Sequence, residues 1–136
     1  MIGLDTNVVV RYLTQDDPRQ CQVANALFER AARSGEVAFF LNAVVLAEVV
    51  WVLESVYGYA RPKIGEALTL LLAVRQIEVE RRQTIKAALD AFATGEADFA
   101  DYLISALNRD EGCDATVTLD KKAGTVPGFS LLSAQR

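Results

Sequence analysis

The chain has 136 residues, of which 51% are hydrophobic and 24% are charged, and its formal net charge is −4. This length and composition predict a single globular domain, residues 1–136, with a core of its own. The longest apolar runs, residues 37–41 and 49–53, are far shorter than the roughly 18 residues that a membrane span requires. No basic export signal follows Met1. We therefore expect a cytoplasmic protein that does not enter membranes.

The residue types exclude several kinds of catalysis. The chain contains no histidine, which removes imidazole acid–base catalysis, Ser-His and Cys-His nucleophiles and the usual zinc ligand. Cys21 and Cys113 form no C-x-x-C pair, so we expect reduced thiols. The negative net charge provides no broad attraction to nucleic acid, and an RNA substrate would need bridging cations. Catalysis must rest on carboxylates, hydroxyls, amines or metal.

Short apolar runs alternate with helical patterns along the chain. Residues 1–4 predict a strand, and Asp5-Thr6-Asn7 predicts the cap of a short helix. Asp16-Asp17-Pro18 predicts the start of a helix that ends at Ser34-Gly35. The other predicted strands are residues 37–41, 77–79, 115–119 and 129–132, and the other predicted helices are residues 44–57, 62–72, 84–92 and 98–109. This alternation predicts an α/β domain with a largely parallel sheet. The apolar residues 68–74 could form part of the core or an interface, and a periodic apolar stripe favours the core.

Two aspartates each follow a predicted strand. Asp5 and Asp120 would emerge at the carboxyl edge of a parallel sheet, where functional groups collect. The alternative is that each residue only begins a turn or caps the next helix.

Glu48 lies in an almost wholly apolar helix. Val44, Val45, Trp51 and Val52 are its neighbours at three and four residues' distance, so we expect it to lie off the solvent-facing stripe. A carboxylate in such surroundings needs a cation or a proton. A salt bridge or a partly exposed position is the competing explanation.

Asp98 and Asp101 project from the same side of a predicted helix start. Acids also favour the first helical turn because of the helix dipole, and Asp98 suits an N-cap, so both roles remain open. Ser105 and Asn108 extend the polar stripe, as in an ordinary amphipathic helix.

Clustered carboxylates repel one another, by on the order of 4 kcal/mol for two charges about 4 Å apart at an effective dielectric of about 20. Proteins tolerate this cost chiefly to hold metal, and oxygen-only ligands favour magnesium, manganese or calcium. A bound magnesium ion that activates water would suit phosphodiester hydrolysis without histidine or serine.

Four acidic motifs in order resemble those of the PIN-domain ribonucleases, and specifically the VapC-type toxins. The resemblance covers nearly the whole chain. Its motifs are Asp5-Thr6-Asn7-Val8-Val9-Val10-Arg11, Ala47-Glu48-Val49-Val50-Trp51, Ala97-Asp98-Phe99-Ala100-Asp101-Tyr102-Leu103-Ile104 and Thr118-Leu119-Asp120. Tyr102 stands where a small residue is common in the family, and Leu119 where phenylalanine is frequent.

The resemblance implies a Rossmann-like three-layer α/β/α sandwich with a mainly parallel central sheet. It also implies a magnesium-dependent endoribonuclease, with manganese as a second suitable ion, that forms homodimers and is inhibited by a cognate antitoxin protein. By position, the catalytic quartet is Asp5, Glu48, Asp101 and Asp120. The metal ligands would come from Asp5, Asp98, Asp101 and Asp120, and the supporting residues would be Thr6, Asn7 and Thr118.

Three basic residues lie close to these motifs in the sequence. Arg11, Lys121 and Lys122 would contact RNA phosphate, although exposed side chains without a function are the plainer interpretation. A module of the same fold that binds RNA or a protein without turnover remains an alternative. Phosphotransfer of the haloacid-dehalogenase kind would require a second aspartate at position 7, which is Asn7.

Overall fold

The computed structural model describes residues 1–133 and divides the chain into two compact units. The first unit comprises Met1–Arg82, and the second begins at Gln83. The expected single-domain boundary, residues 1–136, stays a prediction.

The first unit carries a three-stranded parallel sheet and four helices. The sheet has the order β1-β2-β3, with Ile2 opposite Phe39 and Phe39 opposite Ile77. Its elements are β1 (Ile2–Gly3), α1 (Thr6–Thr14), α2 (Pro18–Ser34), β2 (Phe39–Leu41), α3 (Ala43–Ser55), α4 (Arg61–Leu72) and β3 (Ile77–Val79).

The second unit contains a two-stranded parallel sheet, in which Thr116 pairs with Phe129. Helix α5 begins at Arg82, the last residue of the first unit, and its other residues belong to the second unit. Its elements are α5 (Arg82–Thr94), α6 (Phe99–Asp110), β4 (Thr116–Thr118), a short 3-10 helix (Ala123–Thr125) and β5 (Phe129–Leu131). Every strand pair among residues 1–133 is parallel, which confirms the predicted α/β class.

Local side-chain chemistry explains where the helices of the first unit begin and end. Asp17 accepts hydrogen bonds from the first free amides of α2, Pro18 occupies the first turn, and Gly35 ends the helix at φ 71°. Asn42 caps α3 by accepting a bond from the Val45 amide at 2.9 Å. These are the boundary signals that the sequence predicts.

The buried side chains follow the expected apolar pattern. In the first unit, Leu68, Leu71 and Leu72 are buried, so this part of α4 belongs to the core as predicted, although Leu70 is 71% exposed. In the second unit, the rings of Phe92 and Phe99 meet edge to face, with centroids 5.7 Å apart.

Two further findings concern membrane-spanning helices and the cysteines. Among residues 1–133, no helix has the length and apolar character needed to cross a membrane. Both cysteines are free: Cys21 is buried, whereas Cys113 is exposed in the second unit.

Candidate active site

The first candidate acid lies directly beyond β1. Asp5 is exposed and occupies the N-cap position of α1, where its Oδ1 accepts a hydrogen bond from the Thr6 amide at 2.8 Å. Asn7 follows in the first turn and is exposed as well. Asp5 therefore stands at the carboxyl edge of the sheet, as predicted, and also begins a helix.

The second candidate acid is joined to α1 by one hydrogen bond. The hydroxyl of Thr6 donates to Oε1 of Glu48 at 2.7 Å, and Thr6 is only 9% exposed. Thr6 thus holds the Glu48 carboxylate in place across α1 and α3. The supporting role that the resemblance implies for Thr6 stays a prediction.

The expectation that Glu48 lies off the solvent-facing stripe is wrong. Glu48 is exposed, and its neighbours Val44 and Trp51 are 68% and 62% exposed. The buried face of α3 is formed instead by Leu46, Val49, Val50 and Leu53. Because almost every residue of α3 is apolar, its pattern does not reveal which stripe faces the interior.

In the second unit, two acids lie at the start of α6. Asp98 occupies the N-cap position, but its side chain makes no capping hydrogen bond. Its carbonyl oxygen accepts instead from the Asp101 amide at 3.0 Å. Asp98 is exposed and Asp101 is partly buried in the first turn. The carboxylate of Asp98 is therefore not used as a cap.

The last candidate acid belongs to a turn after β4. The Asp120 amide donates to Oγ1 of Thr118 at 3.1 Å, and Oδ1 of Asp120 accepts from the Lys122 amide at 2.8 Å. These bonds hold the exposed Asp120 in a defined turn. Thr118 thereby orients the backbone that carries Asp120, and Lys121 and Lys122 follow as exposed side chains.

Three candidate acids of the second unit interact electrostatically. Partial burial raises the pKa of Asp101, and the negative charges of Asp98 and then Asp120 raise it further, while Lys122 acts in the opposite direction. The negative charges of these acids thus act on Asp101 at a partly buried position. A bound cation would relieve that repulsion.

The donor types suit a hard divalent cation, because all candidate ligands are carboxylate oxygens. Residues 1–133, however, contain no group of three or more cysteine, aspartate or glutamate side chains that could hold a metal ion. Neither unit by itself therefore contains a complete metal cage.

Arg11 has a structural role that the sequence did not suggest. Its Nη1 donates to Oη of Tyr57 at 2.6 Å and pairs with Asp16 at 3.5 Å, and its Nε donates to Gln20. Hydrogen bonds from Tyr57 and then Thr14 lower the pKa of Asp16, and the Arg11 charge contributes after them. These contacts engage Arg11 within the first unit, and its contact with RNA stays a prediction.

Tyr102, which departs from the family pattern, is accommodated by a glycine. Its ring is 8% exposed, and a Cβ at Gly95 would overlap its hydroxyl oxygen and lie 2.6 Å from its Cζ. The large side chain at position 102 thus requires the smallest residue at position 95. Asp101, the residue before Tyr102, lies in the first turn of α6.

Parallel strands joined by helices, with candidate acids at the strand and helix ends, define an α/β protein. Residues 2–128 match the PIN domain, and the chain belongs to this family. Among curated proteins, a VapC ribonuclease of Aquifex aeolicus (strain VF5) is 25% identical over 119 residues, which are 88% of this chain and 87% of that protein. The family predicted from the four motifs is confirmed.

Proposed function

We propose that this protein is a magnesium-dependent endoribonuclease that acts as the toxin of a toxin–antitoxin pair in the cytoplasm. Membership of the PIN family and the similarity to a protein named as a ribonuclease support this proposal. The observation that carries it is the group of acids around Asp101, whose pKa is raised by burial and by neighbouring carboxylates. Such perturbed acids are typical of functional sites.

The four acids of the motifs form the proposed catalytic set. Asp5, Asp101 and Asp120, with Asp98 as an additional acid, would hold Mg²⁺, and Mn²⁺ fits the same oxygen ligands. When bound, the ion supplies Lewis-acid activation of the water and of the phosphoryl oxygen. The joint action of acids from both units rests on the family resemblance.

The hydrogen bonds of Thr6 and Thr118 support the roles proposed for these residues. Thr6 donates to Oε1 of Glu48, which leaves Oε2 to accept the proton of an attacking water. That water would form a new bond to phosphorus as the bond to the leaving ribose oxygen breaks, and the leaving oxygen would take up a proton from solvent. The turn around Thr118 orients Asp120, and the exposed Lys121 and Lys122 would contact RNA phosphate.

Cleavage of single-stranded and structured RNAs by the purified protein, with and without a chelator, tests the activity. We expect Mg²⁺-dependent cleavage that is lost in Asp5→Asn and Asp101→Asn. Asp90→Asn, in the exposed part of α5, is the matched control and should cleave like the wild type. Equal cleavage by the wild type and both site variants would refute the proposed chemistry.

A module that binds RNA or a protein without cleaving it is the second candidate. The observation in its favour is that neither unit, over residues 1–133, contains a complete metal cage. RNA retention on a filter without any cleavage in Mg²⁺ or Mn²⁺ would support this candidate over the nuclease.

The toxin role requires a partner, because an uninhibited ribonuclease would damage its own cell. We propose inhibition by a cognate antitoxin protein and assembly as a homodimer. Expression alone should arrest growth, whereas the Asp101→Asn variant should not. Normal growth at a high level of cleavage-competent protein would contradict the toxin role, and sedimentation measurements would test the dimer.

A further inference from the structure

Two hydrogen bonds attach the turn before β5 to helix α6. The hydroxyl of Ser105 donates to the Pro127 carbonyl oxygen at 2.9 Å, and Nη2 of Arg109 reaches the same oxygen at 3.4 Å. Ser105 is only 5% exposed. A buried hydroxyl that loses its partner costs free energy, so this bond constrains how the turn packs.

Only glycine fits at the next position of that turn. Gly128 adopts φ +94°, and a Cβ there would lie 2.5 Å from Oγ of Ser105 and 2.8 Å from Nη2 of Arg109. The conformation and the space both exclude a side chain. The backbone at Gly128 therefore lies directly against α6.

The Pro127-Gly128 turn is hydrogen-bonded to the first residue of β4. The Gly128 carbonyl oxygen accepts from the Thr116 amide at 2.8 Å, and the Asn108 side chain of α6 donates to Oγ1 of Thr116 at 2.9 Å. Strand β4 ends at Thr118, whose hydroxyl oxygen accepts from the Asp120 amide. Hydrogen bonds and the short backbone segments 127–128 and 116–118 thus connect Ser105 to the turn that carries Asp120.

Ser105 also lies one helical turn after Asp101 on α6. We infer that Ser105 is a positioning residue which, by packing against the Pro127-Gly128 turn, sets the separation between the carboxylates of Asp101 and Asp120. Ser105 itself touches neither metal nor substrate in this role. The inference rests on the proposed function, in which both aspartates are ligands of the divalent ion.

The test compares Ser105→Ala with Ser105→Thr, which keeps the hydroxyl, and with Ser130→Ala, the same chemical change at an exposed site of β5. Titration with Mn²⁺ alone should show about tenfold weaker affinity for Ser105→Ala, the scale seen when residues that orient metal ligands are removed. Ser105→Thr should recover most of the affinity, and Ser130→Ala should match the wild type. In cleavage assays, kcat should fall while KM for RNA stays constant.

A measurement on metal-free protein separates the contact from the chemistry. Amide hydrogen exchange at Thr116 should be faster in Ser105→Ala than in Ser130→Ala, because the bond to Gly128 becomes less stable. Wild-type exchange and wild-type Mn²⁺ affinity in Ser105→Ala would overturn the inference. Failure of the wild type to bind Mn²⁺ would refute the proposed metal site and the positioning role together, even where the exchange result still shows the contact.

Discussion

Replacement of Gly95 by alanine tests the paired fit between Gly95 and Tyr102. The added Cβ would overlap the Tyr102 hydroxyl oxygen, lie 2.6 Å from Cζ and come within 3.0 Å of the Ala91 carbonyl oxygen. Overpacking of this kind costs about 1–3 kcal/mol, and the reduced freedom of the unfolded chain offsets about 0.4–1 kcal/mol. We expect a net loss of about 1–2 kcal/mol in the free energy of unfolding.

Urea denaturation followed by far-UV circular dichroism measures this loss, and a second background identifies its cause. In Tyr102→Leu protein the obstructing ring atoms are absent, so Gly95→Ala should cost little or increase the free energy of unfolding. The coupling in this double-mutant cycle should then be about 1–2 kcal/mol, within the range for residues in contact. The same cost for Gly95→Ala in both backgrounds would refute the steric argument.

Three further predictions concern the ionisable groups. The pKa of Asp101 is raised in the folded state, so this carboxyl reduces the free energy of unfolding as the pH rises through that pKa. Asp101→Asn should therefore raise the free energy of unfolding of metal-free protein at pH 7. The expected gain is about 0.5 kcal/mol, the scale for partly exposed charge pairs. No difference from the wild type in urea denaturation, or a larger gain at pH 3 than at pH 7, would contradict this prediction. Because the Tyr57 hydrogen bond lowers the pKa of Asp16, the stability from this group is present above the ordinary aspartate pKa and is lost as the pH falls below it. In Tyr57→Phe the Asp16 carboxyl should titrate at higher pH, as measured by ¹³C NMR. An unchanged titration would exclude the Tyr57 hydrogen bond as the cause. If Asp5 and Asp101 bind one ion, the losses of Mn²⁺ affinity in Asp5→Asn and Asp101→Asn should be strongly non-additive in the double variant, whereas additive losses would indicate independent sites.

The helix boundaries that the sequence predicted correctly depend on local chemistry. Asp17-Pro18 and Gly35 limit α2, and Asn42 starts α3, because caps and left-handed glycines act on their own neighbours. The parallel pairing followed from the alternation of strands and helices.

The features that the sequence missed depend on contacts between distant residues. Apolar residues surround Glu48 on every side of α3, so the sequence pattern does not indicate which face of the helix is buried. For this reason the exposure of Glu48 was not predicted. Ser105 and Asn108 resembled the polar stripe of an ordinary helix, yet both bind the β4–β5 region. The pairing of Gly95 with Tyr102 is likewise visible only once the fold brings them together.

The distribution of cysteines and tryptophan makes the two units separately addressable by spectroscopy. Trp51 is the only tryptophan and lies in the first unit, while Cys113 is the exposed thiol of the second and Cys21 is shielded by burial. A thiol-reactive energy acceptor should therefore label Cys113 selectively, since modification requires an accessible thiolate. Energy transfer from Trp51 to that label would then measure the separation of the two units in solution, with and without Mg²⁺, in the unmutated chain.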